Sequence, residues 1–161
     1  IPTTSVPLTR IQRENSESIM NSLKHKQIKA LVADDSPFNV NLICDYFSQF
    51  GGLAAFKAYN GFDIYMKYKE CRTSGFDIDI VILDIDMPIM GGREACRKIR
   101  QFEKEKGLSP VLIVLMSGNY DKEQIDEYLD PRREHLADCF LRKPVSFSEF
   151  SQSVYTLINR E

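Results

Sequence analysis

The stretch Val81-Ile82-Leu83-Asp84-Ile85-Asp86-Met87-Pro88 constrains this chain more than any other. Five apolar residues lie between Ile78 and Leu83, broken only by Asp79. Such a run suits a strand covered on both faces, because a half-exposed strand would alternate apolar and polar side chains. The run stops at Asp84, and Pro88, which has no N–H for a sheet ladder, ends it. A buried strand that finishes on a carboxylate places that carboxylate at the rim of the sheet.

The rest of the chain arranges itself around this strand. Ile28–Ala33 reads as a short strand ending at Asp34-Asp35-Ser36-Pro37. Ser36 or Asp35 can cap a helix with Pro37 in its first turn. Val40, Leu42, Ile43, Tyr46, Phe47 and Phe50 give that helix an apolar face, and Gly51-Gly52 ends it. Leu53–Ala58 is a second strand, Asn60-Gly61 a turn, and Phe62–Cys71 a second helix. After the central strand, Met90-Gly91-Gly92 reads as a flexible loop and Arg93–Lys106 as a third helix stopped by Gly107. Val111–Met116 is a wholly apolar fourth strand ending at Ser117-Gly118-Asn119. Asp121–Leu129 is a fourth helix, Ala137–Leu141 a fifth strand ending at Arg142-Lys143-Pro144, and Ser146 caps a last helix carrying Phe150, Val154, Leu157 and Ile158. Strand and helix alternating five times predict an α/β fold with a parallel sheet and helices on both faces. Residues 1–27 read as a polar linker or tail, and residues 28–161 as one domain.

Composition narrows the function classes. The 161 residues carry a net charge of -2, which gives no electrostatic case for nucleic acid. Cys44, Cys71, Cys96 and Cys139 are far apart and form no CxxC pair, and the two histidines, His25 and His135, complete no zinc pattern with them. Isolated thiols fit a reducing compartment, and the expected location is the cytoplasm or the cytoplasmic part of a larger protein. No apolar run is long enough to span a bilayer, and no signal peptide is visible. A first residue of Ile1 rather than Met suggests a piece of a longer protein.

The chemistry gathers at the carboxyl ends of the strands, where open parallel α/β sheets form their sites. Asp34-Asp35 follow the first strand, Asp84 ends the third, Ser117 the fourth and Lys143 the fifth. Each alone is a commonplace cap or turn; together, each at its own strand end, they are specific. Clustered carboxylates repel unless a cation joins them. With only oxygen ligands at hand, that cation is hard, and Mg²⁺ is the natural choice. Lys143 adds a point charge for an anion and Ser117 a hydroxyl donor. Metal, lysine, hydroxyl and protruding aspartate together describe phosphoryl transfer to a carboxylate.

These residues make the chain resemble a response-regulator receiver domain, the phosphoacceptor module of two-component and phosphorelay signalling. The motifs are Leu31-Val32-Ala33-Asp34-Asp35, Leu83 to Gly92, Val114-Leu115-Met116-Ser117-Gly118 and Lys143-Pro144. Asn39 and Asn60-Gly61 resemble receivers of hybrid histidine kinases and eukaryotic phosphorelays. The resemblance implies a doubly wound five-stranded sheet of order 2-1-3-4-5, flavodoxin-like. It implies Asp84 as phosphoacceptor, with Mg²⁺ held by Asp34, Asp35, Asp84 and the main chain of Asp86. It implies Ser117, Gly118 and Lys143 on the phosphoryl group, and Ser117 with Phe140 as the conformational switch. Asp86 and Asn119 sit where they would tune the lifetime of the phosphorylated form. The implied partner is a histidine-phosphotransfer protein or a histidine kinase, docking near Val40, Leu42 and Ile43 and the loop after Lys143, with no nucleic-acid or membrane contact. Slow self-catalysed dephosphorylation, rather than a dedicated enzyme activity, is the expected chemistry.

Two rivals remain at this point. Asp84-Ile85-Asp86 also resembles the DxD motif of haloacid dehalogenase-type phosphatases, but that family places its other acidic metal ligands after the lysine, where this chain offers no acidic pair and Glu149 stands apart. The other rival is a receiver that has lost phosphotransfer and only binds partners. A nucleotide-binding or flavin-binding fold is disfavoured, because no glycine-rich phosphate loop follows the first strand.

Overall fold

The computed structural model describes residues 10–119, 121–133 and 135–160, with side chains from residue 15 onward. Eleven elements follow in chain order: α1 Arg10–Lys26, β1 Lys29–Ala33, α2 Pro37–Gln49, β2 Leu53–Ala58, α3 Gly61–Ser74, β3 Ile80–Asp84, α4 Gly92–Lys106, β4 Leu112–Ser117, α5 Lys122–Leu129, β5 Cys139–Arg142 and α6 Phe147–Ile158. The five strands form one sheet in the order β2-β1-β3-β4-β5, all parallel.

The alternation of side chains across the pleat explains why the strands look uniformly apolar in sequence. Leu31, Ala33, Val81, Leu83, Ile113 and Leu115 join Tyr68, Ala95, Cys96 and Ile99 of α3 and α4 in one buried cluster. Ala30, Val32, Ile80, Ile82, Val114 and Met116 join Val40, Phe47, Phe150 and Val154 of α2 and α6 in the other. Five rings, those of Tyr46, Phe47, Phe50, Phe147 and Phe150, interlock between α2 and α6 with neighbouring centroids 5.1 to 6.3 Å apart.

Local chemistry sets the helix starts. Ser36 accepts from the Asn39 N–H, Asn60 from Asp63, Asp121 from Glu123 and Ser146 from Glu149. Asn60-Gly61 is therefore the start of α3 rather than a free turn. The Met90–Gly92 stretch is tightly packed rather than flexible. The Gly61 N–H donates to Met90 O at 2.7 Å and Gly92 N–H to Ile85 O at 2.9 Å. A methyl group at Gly92 would run into the Asp84 carbonyl, so this close approach needs glycine.

Two features go beyond the sequence reading. The segment read as a polar tail is helical over Arg10–Lys26. Leu23 is fully buried, and Ile19 and Met20 pack beside it against the α2–α6 cluster. Burial of one apolar stripe, rather than the propensity of a largely polar segment, accounts for its position. The second feature lies at the other end of the sheet from the strand-end acids. Glu103 is buried and accepts from Tyr68 Oη at 2.6 Å, from the Val111 N–H at 2.7 Å and from Arg100 at 2.7 Å. Arg100 reaches Asp138 at 3.3 Å, and Asp138 accepts from the Ile113 N–H at 2.9 Å. A buried carboxylate is tolerable there because its lone pairs are met.

On the outer edge of the sheet, β2 carries a bulge. Ala30 pairs with Ala54 but Leu31 with Phe56, so Ala55 has no partner. The Lys67 ammonium lies over the Phe56 ring, 4.8 Å from its centroid.

The burial of Leu23 has a measurable consequence. Leu23→Ala should lower unfolding stability by about 2–4 kcal/mol, the usual cost of emptying a packed leucine site. Urea unfolding of the two proteins reads this directly, and a loss near zero would mean that α1 contributes nothing to the folded unit.

Candidate functional site

The sheet ladder itself delivers the acids to one place. Asp84 is the last residue of β3 and pairs with Met116; Ser117 ends β4 and pairs with Arg142. Asp34 extends β1, its N–H donating to Ala58 O at 3.2 Å, and the Lys143 N–H donates to Ser117 O at 3.0 Å. The crossed helices keep solvent off the sides, so Asp34, Asp84 and Ser117 are all buried while Asp35 is exposed.

The Lys143 ammonium bridges the two buried acids. Its Nζ is 2.6 Å from Asp34 Oδ2 and 3.2 Å from Asp84 Oδ1. Asp34 Oδ1 accepts from the Ser36 N–H at 2.9 Å, and Asp84 Oδ1 takes a long bond from the Asp86 N–H at 3.4 Å. The loop bearing Lys143 is tied down from α2: Tyr46 Oη donates to Val145 O at 2.8 Å. The Lys143–Pro144 peptide bond is cis.

Asp34, Asp35 and Asp84 each present an oxygen, and these oxygens lie within 4.8 Å of one another. The donors are all carboxylate oxygens. Among the described residues, the fully buried Asp34 Oδ2 meets only the ammonium. One monovalent cation against three carboxylates leaves the cluster negative. The residues therefore fit a hard divalent cation such as Mg²⁺, with Asp34, Asp35 and Asp84 as its side-chain ligands.

Other residues singled out in the sequence have distinct positions. The Ser117 hydroxyl faces its own loop: it donates to Asn119 O at 2.6 Å and accepts from the Asn119 N–H at 3.1 Å. Gly118 and Asn119 are exposed at the site's mouth, as is Asp86. Phe140 is half-buried and packs against the α3–α4 cluster. Of the residues around which docking is expected, Val40 and Ile43 are buried in the core and offer no side chain to a partner, while Leu42 is half-buried. The Val40 and Ile43 side chains belong to the stripe that α2 turns toward the sheet. The outward residues there are Phe38, Asn41 and Asp45. Phe38 was legible as an aromatic residue lying off the 40-43-47 stripe, a signal that the sequence reading did not use.

Burial and the neighbouring Asp34 charge push the Asp84 carboxyl up to about 6, against the pull of Lys143. Burial alone would lower Lys143, but the hydrogen bond and charge of Asp34, with the charge of Asp84, hold it above the ordinary lysine value. The raised Asp84 value means that the folded protein keeps a proton the unfolded chain has lost. Stability of the metal-free protein should therefore fall as pH rises from about 4 to about 6, and above that the ionised carboxylate costs the fold on the order of 2–3 kcal/mol. In metal-free buffer, Asp84→Asn should melt higher than the wild type at pH 7.5, and the advantage should vanish near pH 4. An advantage that did not change with pH would mean that charge is not its cause.

Known proteins resemble this chain in sequence and fold. A family model for the response regulator receiver domain matches residues 30–155. The chain is 24% identical over 149 residues to the peroxide stress-activated histidine kinase mak1 of Schizosaccharomyces pombe, covering 92% of this chain and 9% of that protein. It is 31% identical over 126 residues to hybrid signal transduction histidine kinase L of Dictyostelium discoideum, covering 78% of this chain and 7% of that protein. The chain thus spans less than a tenth of either kinase. Among solved structures it is similar to a chain of the CheX-CheY-BeF3-Mg²⁺ complex from Borrelia burgdorferi, with a TM-score of 0.72 and 26% identity over 83% of this chain and 90% of that one. It also shares its fold with the chemotaxis protein CheY4 of Vibrio cholerae, with a TM-score of 0.66 and 20% identity over 81% of this chain and 98% of that one. Family model and topology converge, and the chain belongs to the response regulator receiver domain family.

Proposed function

We infer that this domain accepts a phosphoryl group on Asp84 from a phosphohistidine of a partner protein, in a Mg²⁺-dependent reaction, and changes conformation when it does so. The observation that carries the reading is the buried Asp84 carboxylate at a strand end, 3.2 Å from Lys143 and clustered with Asp34 and Asp35. That relatives in Schizosaccharomyces and Dictyostelium are named histidine kinases supports a phosphohistidine donor, either a kinase or a histidine-phosphotransfer protein.

The chain's own groups divide the work. Asp84 Oδ1 is engaged by Lys143 and the Asp86 N–H. Among the described residues the second oxygen carries no hydrogen bond and serves as the nucleophile. Its attack on phosphorus breaks the donor's P–N bond, and the electron pair returns to the imidazole. Lys143 neutralises the charge that gathers on the phosphoryl oxygens. Mg²⁺, held by Asp34, Asp35, Asp84 and the Asp86 main chain, would supply charge neutralisation and orientation. Ser117 would exchange its bond to Asn119 for one to a phosphoryl oxygen, with the Gly118 N–H beside it. Phe140 follows Ser117 inward, which alters the α5–β5 surface. Residues 28–161 form the receiver unit in this reading.

Intact mass after incubation with Mg²⁺ and acetyl phosphate tests the reading. One added phosphoryl group is expected, absent from Asp84→Asn and from metal-free controls. Steady phosphate release without an adduct would favour a phosphatase instead.

The exposed Asp86 carboxylate, two residues beyond the acceptor, is placed to accept a proton from an attacking water. Asp86→Asn should lengthen the half-life of the phosphorylated form several-fold, followed by the decay of the adduct mass. An unchanged half-life would remove Asp86 from the hydrolytic step.

A further inference from the structure

A cleft of about 250 Å³ opens directly beside the acid cluster and shares Asp34 and Lys143 with it. Its other walls are Phe38, Asn39, Leu42 and Val145, from the first turns of α2 and the loop after β5. Two features of this cleft have no use within the fold itself. Phe38 is 75% exposed and lies off the stripe that α2 packs on the sheet, so its ring stands in water against the usual preference of a large apolar side chain. Asn39 spends its backbone N–H on the Ser36 cap, while among the described residues its side-chain amide has no hydrogen-bond partner. An apolar ring and an unengaged amide therefore flank the same lysine that faces the phosphoacceptor.

We propose that Asn39 and Phe38 are specificity-determining residues that seat the donor's imidazole ring, so that this domain discriminates in favour of ring-carried phosphoryl groups over other P–N donors. The proposal rests on the reading of Asp84 as phosphoacceptor. An imidazole has two apolar faces and an N–H at its edge. Phe38 and Leu42 offer surface to a face, and in the cationic donor ring, protonated on the nitrogen that does not carry phosphorus, the Asn39 Oδ1 accepts from that N–H. When Asp84 attacks, the new O–P bond forms and the P–N bond breaks, with its electron pair passing to the ring nitrogen. The proton on the other nitrogen stays in place, so the ring departs as neutral imidazole and not as an anion. Asn39 favours this by holding that proton where it is. The amide takes no proton itself, which makes Asn39 a positioning residue rather than an acid or base.

The discriminating measurement compares two small donors with the same P–N bond, phosphoimidazole and phosphoramidate, the second lacking the ring. Rates of Asp84 adduct formation with Mg²⁺ are followed by intact mass for the wild type, Asn39→Ala, Asn39→Asp and Phe38→Ala. The ratio of the two rates is the readout, because a general disturbance of the site slows both donors and cancels. Asn39→Ala should lower the phosphoimidazole-to-phosphoramidate ratio roughly fivefold, the size of one hydrogen bond. Phe38→Ala should lower it in the same direction, and Asn39→Asp, which keeps an acceptor, should preserve it. Phe38 and Asn39 lie on an exposed turn, so all four proteins can be matched by thermal melting. A ratio that stays within about twofold of the wild type in Asn39→Ala and Phe38→Ala overturns the proposal while leaving Asp84 as acceptor. A wild type that forms no Asp84 adduct with these donors or with acetyl phosphate overturns the acceptor reading and this inference with it.

Discussion

One ammonium group stands between two buried carboxylates, and much of the functional end of the molecule depends on that imbalance. Lys143 contacts Asp34 and Asp84 at once, yet a third acid, Asp35, belongs to the same cluster. In a partly desolvated crevice such an excess of negative charge is far from negligible. The sheet supports it because β1 and β3, whose ends carry the acids, are each flanked by a paired strand on both sides, so the acids cannot splay apart. The site therefore concentrates negative charge on groups whose positions the sheet fixes.

The same rigidity explains why two positions beside the site are glycine. The loop after Asp84 folds back so closely that Gly61 and Gly92 lie against neighbouring carbonyls. The loop carrying Lys143 is fastened by Tyr46 from a helix nearly a hundred residues earlier in the chain. The geometry of the site is set here by contacts that are remote in sequence and short in space.

That distinction also separates what was legible in the sequence from what was not. The central strand, the alternation of strands and helices, the caps at Ser36 and Ser146 and the convergence of Asp34, Asp84, Ser117 and Lys143 at one rim all follow from local pattern plus the rule for parallel sheets. Helix α1 did not, because its signal is a single stripe of Ile19, Met20 and Leu23 in a polar segment, and only the waiting surface of α2 and α6 makes that stripe worth burying. Docking was expected around Val40, Leu42 and Ile43, and an apolar helical stripe does not by itself say which of its members the sheet buries. The Glu103–Arg100–Asp138 network was equally silent, since its members look like ordinary surface charges until Tyr68 and the backbone N–H groups of Val111 and Ile113 enclose them.

The bulge at Ala55 bears on how such domains behave when crowded together. A parallel sheet has two open rims, and a regular rim offers a repeating row of donors and acceptors that another chain can copy. On β2 that row loses its register midway, and the charged end of Lys67 stands over Phe56 beside it. On the opposite rim β5 is only four residues long. Neither margin offers a long regular template for fibril-like stacking, so at high concentration the sheet should end where its own sequence ends it.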